Sequence, residues 1–135
     1  MDRIAYAGGY RYQLRAPYAV RIEIRPACMI LSAYITLTPD GVLTIRQGYA
    51  WDGATGCPDW RSIMRGSLVH DALYQLIREG HLPPECRATA DAILRRLCLE
   101  DGLPAPLAAV VHAAVRRLGL PAADPAATRP TLYAP

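Results

Sequence analysis

The hydrophobic residues of this chain change their period once, and that change limits the folds open to it. Up to residue 46, apolar and polar residues alternate, as in Tyr10–Leu14 and Val20–Ile24. This is the period of half-buried antiparallel strands. From residue 62, apolar residues recur every three or four positions, which is the period of a helix. Strands that come first and helices that follow predict an α+β fold.

A hairpin is the clearest local signal in the first half of the chain. Tyr34–Thr38 and Val42–Arg46 are alternating runs rich in β-branched residues, and Pro39-Asp40-Gly41 separates them. Proline presets φ at the start of a turn, and glycine adopts positive φ without strain. The sequence therefore predicts two antiparallel strands joined by a tight turn.

Three helices are predicted after these N-terminal strands. The first runs from an N-cap at Ser62 to about Glu79, the second covers residues 84–100, and the third spans Pro104–Leu118. A glycine follows each of them, as is common at helix ends. Residues 1–120 are predicted to form a single α+β domain, and residues 121–135, rich in proline and alanine, an extended tail.

Composition narrows the classes of function. All 15 basic residues are arginine, the formal net charge is +3, and the arginines are scattered, so no basic cluster indicates a nucleic-acid interface. The four cysteines form no CxxC pair, which argues against structural zinc and favours reduced thiols packed as small hydrophobes. No segment has the pattern of a signal peptide or a membrane-spanning helix, so we expect neither.

The first predicted helix carries polar side chains that need partners, because burying an unpaired charge costs several kcal/mol. His70 and Tyr74 lie one turn apart and share an apolar face with Ile63 and Ile77. Asp71 diverges from His70 by about 100° around the helix. The imidazole and this carboxylate therefore serve two separate tasks.

These residues together predict a site that activates water. His70 can take a proton from water, and Tyr74 can donate a hydrogen bond to the carboxylate that orients the imidazole. Asp91, on the second helix, is the candidate for that carboxylate, because it would fix the tautomer needed of a general base. Asp71 would bind a cation, and Asp52, in the glycine-rich loop before the helix, adds a second carboxylate. Two carboxylates favour a hard cation, Ca²⁺ or Mg²⁺.

The same residues also have a structural interpretation. His70 and Tyr74 can form a buried hydrogen-bonded pair, and Asp52 can cap a turn. Asp91 has Arg87 and Arg95 four positions to either side, so local ion pairs can satisfy it. Asp71 can be a carboxylate on the helix surface that pairs with Arg61, Arg65 or Arg78.

Other candidate residues have weaker signals. Ser67 lies inside a predicted helix without the GxSxG pattern of a nucleophilic serine. Cys57, in a Gly-Cys-Pro turn, is an alternative nucleophile. His81 lies in a predicted loop, and His112, on a mostly apolar helix, is predicted to be structural.

Three pieces of the sequence together resemble the phage-associated domain of unknown function family 1353. They are the loop Gly48–Thr55 after the predicted hairpin, the segment His70–Tyr74, which reads HDALY, and Ala90-Asp91 on the next helix. The resemblance covers about residues 30–119. It implies a phage or prophage origin but no particular activity. Because no signal-peptide pattern is present, we expect the protein in the host cytoplasm or in the virion.

The His-Asp-x-x-Tyr segment, with an aspartate on a following helix, is similar to secreted phospholipase A2. In that family the histidine is the general base, the next aspartate holds Ca²⁺, and the tyrosine supports a remote aspartate behind the histidine. The resemblance carries these roles to His70, Asp71, Tyr74 and Asp91. This chain lacks that family's calcium loop and flanking cysteines, so the resemblance concerns metal-assisted hydrolysis more than a phospholipid substrate.

Two functions are expected from these observations. The first is a phage-type protein with a metal-assisted hydrolase site, acting on an ester or amide of the host envelope or on a nucleotide. In it, Asp52 and Asp71 hold the metal, His70 activates water, and Tyr74 and Asp91 support the histidine. The second is a non-enzymatic phage accessory protein, either a virion or tail component or a factor that binds a host component. The polar cluster is then structural, or binds a ligand without turnover.

Overall fold

The structure, a computed structural model, shows strands followed by helices and confirms the predicted α+β fold. It describes residues 3–7, 12–53, 57–58 and 60–123. Contacts divide these residues into a β unit, up to Asp52, and a helical unit, from Gly53 onward. The prediction of a single domain over residues 1–120 stays a prediction.

The β unit contains two antiparallel sheets. One has three strands in the order β1-β2-β7, and the other has four in the order β3-β6-β5-β4. The strands are β1 (Tyr6–Ala7), β2 (Tyr12–Leu14), β3 (Tyr18–Arg21), β4 (Ile30–Leu31), β5 (Ile35–Leu37), β6 (Val42–Ile45) and β7 (Ala50–Trp51).

The predicted hairpin is confirmed as β5 and β6, which pair with Thr36 opposite Thr44. Gly41 closes the turn with a φ of 85°. A Cβ at this position would lie 2.5 Å from the carbonyl oxygen of Ile22, so both the backbone conformation and the available space require glycine. The inward-facing residues of the hairpin are fully buried (Ile35, Leu37, Leu43 and Ile45).

The helical unit contains the three predicted helices. They are α1 (Arg61–Arg78), α2 (Cys86–Glu100) and α3 (Ala105–Leu118). The predicted N-cap at Ser62 is wrong. Trp60 occupies that position with extended backbone, and its carbonyl accepts the first hydrogen bonds of the helix.

A fourth, short helix, α4 (Leu120–Ala123), extends into the first residues of the predicted tail. The remainder of that predicted tail, residues 124–135, lies outside the described residues. No helix in the described part of the chain combines the length and hydropathy needed to cross a membrane.

Helix α1 is buried on nearly every side, as its apolar sequence predicted. Every residue from Ile63 to Ile77 except Asp71 is buried. It packs mainly against α2, and Gly66 allows the close approach, because a Cβ there would lie 2.9 Å from Cδ1 of Leu94. Helix α2 packs in turn against α3. A polar side chain directed from α1 toward α2 therefore lies among packed helices, away from bulk water.

Candidate functional site

Helices α1 and α2 place one carboxylate beside an imidazole and a phenol. Nε2 of His70 lies 2.7 Å from Oδ1 of Asp91, and the Tyr74 hydroxyl donates to the same oxygen at 2.5 Å. The rings of His70 and Tyr74, one turn apart, also lie against each other with centroids 4.1 Å apart. The structure thus brings together three of the residues selected from the sequence.

The second oxygen of Asp91 is bound by a residue that the sequence analysis missed. Nη1 of Arg116, in the last turn of α3, donates to Oδ2 at 2.8 Å. Arg87 donates through Nη2 to the carbonyl oxygen of Arg116 at 2.7 Å, which ties α2 to the end of α3. We call His70, Tyr74, Asp91 and Arg116 the Asp91 network.

The predicted local ion pairs of Asp91 are wrong. Within the described residues, its partners come from α1 and α3, and neither Arg87 nor Arg95 bonds to it. The physical reason is burial. Asp91 is 0% exposed and its carboxylate points into the helical unit, whereas Arg95, one turn further along α2, is exposed.

The surroundings of Asp91, His70 and Tyr74 favour one charge state for each of these three residues. Burial alone would raise the pKa of Asp91, but hydrogen bonds from His70, Tyr74 and Arg116 outweigh it and hold the pKa below its ordinary value. Burial lowers the pKa of His70, so its neutral form is favoured. Burial and the bond to Asp91 raise the pKa of Tyr74, which stays a protonated donor.

These charges also fix the tautomer of His70. An ionised carboxylate only accepts hydrogen bonds, so Nε2 carries the imidazole proton and Nδ1 holds the lone pair. Among the residues that the structure describes, Nδ1 has no hydrogen-bond partner. A neutral, oriented imidazole with an available lone pair is the state that a general base requires.

Comparison with known proteins identifies no relative. No protein family, curated protein or solved structure matches the chain. The resemblances to the domain of unknown function family 1353 and to secreted phospholipase A2 therefore stay predictions, as does the phage origin that the first of them implies.

The two carboxylates predicted to bind a metal belong to different units of the chain. Asp71 is half-buried on α1, and Asp52 is exposed after β7. Across the described ranges, no group of three or more His, Cys, Asp or Glu side chains is placed to hold a metal ion. Metal binding by Asp52 and Asp71 stays a prediction.

The other candidate residues of the sequence analysis lie outside the Asp91 network. The Ser67 hydroxyl is buried and donates to the carbonyl of Met64 at 2.8 Å. Cys57 is half-buried against an apolar cluster that includes Cys98. Nε2 of His81 lies 3.7 Å from Oε1 of Glu79 at the end of α1.

The four cysteines are free thiols. Cys98 is buried in the apolar cluster of the helical unit, as predicted for a small hydrophobe. The prediction of a packed thiol is wrong for Cys28, which is exposed. The reason is that Cys28 lies in the loop after β3 and not in a buried strand.

Proposed function

We propose that the helical unit is a hydrolase site in which His70 acts as general base. The observation that carries this proposal is the 2.7 Å contact between Nε2 of His70 and Oδ1 of Asp91, which leaves the Nδ1 lone pair for a proton. Asp91 would stabilise the imidazolium that forms, while Tyr74 and Arg116 hold the carboxylate in place.

In the proposed step, Nδ1 of His70 takes a proton from water while the water oxygen bonds to the electrophilic carbonyl carbon or phosphorus. The bond to the leaving group then breaks, and the leaving group takes the proton back from Nδ1. No external oxidant or reductant is needed. The substrate class is an ester or amide of the host envelope, or a nucleotide. His70 is 3% exposed, so neighbouring side chains must move to admit substrate.

Turnover of chromogenic substrates tests this proposal. The full chain is assayed with p-nitrophenyl acetate, an acyl p-nitroanilide and bis(p-nitrophenyl) phosphate, which separate ester, amide and phosphodiester cleavage. His70→Gln should reduce kcat by a factor of about 10² to 10⁴, the contribution that a general base usually makes. His112→Gln, half-buried on α3, is the matched control and should leave kcat unchanged. Equal rates in wild type and His70→Gln would refute the role of His70.

Metal dependence is tested separately by thermal melting. A site metal at 100 times its dissociation constant should add about 2.7 kcal/mol to the free energy of unfolding. Titration with Ca²⁺ and Mg²⁺ should then raise Tm in the wild type and fail to do so in Asp71→Asn and Asp52→Asn. If neither ion moves Tm, the predicted metal role of these two aspartates is wrong, and the general-base proposal is unaffected.

One observation favours the second candidate, a non-enzymatic phage accessory protein. Asp91 and Tyr74 are 0% and 2% exposed, so the Asp91 network can hold three helices together without taking part in catalysis. Under this alternative, His70→Gln lowers stability, and no substrate is turned over by either protein. Turnover that depends on His70 would exclude it.

A further inference from the structure

A concavity of about 890 Å³ opens on the β unit, on segments that flank its strands. It is formed by the end of β2 and the residues just after it, by the residues that precede β5, and by those that follow β6. This volume lies within the range of about 300 to 1,000 Å³ that is usual for small-molecule sites. Neither the Asp91 network nor the proposed hydrolase contributes to it.

The wall of this concavity carries positive charge without acidic compensation. Arg15 and Arg46 line it together with Gln13, Tyr34 and Gln47, and no Asp or Glu is among its lining residues. Neither arginine forms an ion pair within the described part of the chain. In the helical unit, by contrast, the guanidinium groups of Arg65, Arg96 and Arg116 contact carboxylates.

Arg46 is held in place by neutral groups. Its Nη1 donates to the carbonyl oxygen of Ala33 at 3.2 Å, and its guanidinium carbon lies 5.9 Å from the centroid of the Tyr34 ring. Its backbone N–H also donates to the carbonyl of Tyr34 at 2.8 Å. A guanidinium has five N–H donors, so one contact to Ala33 positions the group and leaves most of its donors for a ligand.

We infer that this concavity binds a small organic anion carrying a phosphate or carboxylate group, with Arg46 and Arg15 as its charged contacts. Guanidinium groups match both anions through paired N–H donors. A cationic ligand would be repelled, and a neutral one would leave both charges without a counter-charge. The amides of Gln13 and Gln47 bring polar groups for the rest of the ligand.

The inference is tested by titrating the full chain with small molecules. Binding is measured by calorimetry and by ¹H–¹⁵N NMR. The probes are inorganic phosphate, adenosine monophosphate, citrate and, as a neutral control, adenosine. We expect saturable binding of adenosine monophosphate or citrate, with shifts at Arg15, Arg46 and Gln47. Preference between these two probes distinguishes a phosphate from a carboxylate ligand.

Matched arginine variants decide whether the concavity itself binds. Arg46→Gln should weaken binding at least tenfold, about 1.4 kcal/mol. Arg15→Gln removes an exposed side chain and provides a second variant if Arg46→Gln fails to fold. Arg21→Gln, exposed on β3 outside the concavity, should leave binding unchanged. No saturation below about 10 mM, equal weakening by Arg21→Gln, or equal affinity for adenosine would each overturn the inference.

Discussion

Replacing Asp91 by asparagine should lower the free energy of unfolding by about 3 kcal/mol or more, because it breaks a buried charge network. The carboxylate is 0% exposed. It accepts hydrogen bonds from His70, Tyr74 and Arg116 at 2.7, 2.5 and 2.8 Å. Asparagine keeps one oxygen, and its NH₂ group can only donate. At least one of the three donors must therefore lose its acceptor.

The magnitude follows from the three bonds taken in turn. If the asparagine oxygen faces His70 and Tyr74, two charge-assisted bonds become neutral ones, at a loss of about 1 kcal/mol each. The NH₂ group then faces Arg116, whose side chain is 39% exposed, so the lost ion pair is discounted for solvent screening to about 1 kcal/mol. For 135 residues, an entropy of unfolding of about 2.1 cal/mol/K per residue converts 3 kcal/mol into about 10 °C in Tm.

Thermal melting by circular dichroism at neutral pH measures this shift. Glu85→Gln removes an exposed carboxylate just before α2 and is the matched control for the change in net charge. Its effect should stay within about 0.5 kcal/mol. The reasoning is refuted if Asp91→Asn melts within about 3 °C of the wild type, or if Glu85→Gln shifts Tm as much.

Three further predictions concern pH, thiol chemistry and helix packing. Burial lowers the pKa of His70, so the unfolded chain takes up its proton first as pH falls. The neutral imidazole makes its full contribution to the free energy of unfolding above about pH 6.5. Below that pH, the free energy of unfolding decreases by up to about 1.4 kcal/mol for each pH unit. Urea unfolding from neutral to mildly acidic pH should show this slope in wild type and in His112→Gln, and a smaller slope in His70→Gln. Burial raises the pKa of the Cys98 thiol to about 12. Iodoacetamide should therefore label exposed Cys28 in the native chain and Cys98 only in denaturant. Rapid labelling of Cys98 in the native chain, detected by mass spectrometry, would contradict this. Gly66→Ala should lower the free energy of unfolding, measured in urea, by about 1 to 3 kcal/mol, because the added methyl group overpacks the contact between α1 and α2. A higher free energy of unfolding would show that the helices separate without strain.

The parts of the fold that were predicted are those specified by local sequence. The β5–β6 hairpin combines alternation with a Pro-Asp-Gly turn, and the three long helices combine a helical period with terminal glycines. The two-residue strands β1, β4 and β7 were missed because two residues cannot show a period. The strand expected from the alternation over Val20–Ile24 lies earlier in the chain, as β3. It ends at Arg21, and Ile22 and Ile24 are buried beyond it without continuing the ladder.

The candidate site was predictable only where a buried polar residue required a partner. His70 and Tyr74, one turn apart on an apolar helix, indicated a carboxylate from elsewhere, and Asp91 fulfils that requirement. Arg116 could not be found in this way, because no local spacing relates it to Asp91. The spacing of four residues favoured Arg87 instead, but the tertiary packing directs Arg87 to the carbonyl oxygens at the end of α3.

In the proposed hydrolase site the two nitrogens of His70 have different tasks. Both oxygens of Asp91 accept hydrogen bonds from the protein, and one of these bonds comes from Nε2 of His70. No described residue forms a hydrogen bond with Nδ1, and Tyr74, on the same helix, lies against the ring. The ring is therefore held by one nitrogen while the other keeps an available lone pair, which a general base requires and a structural histidine does not.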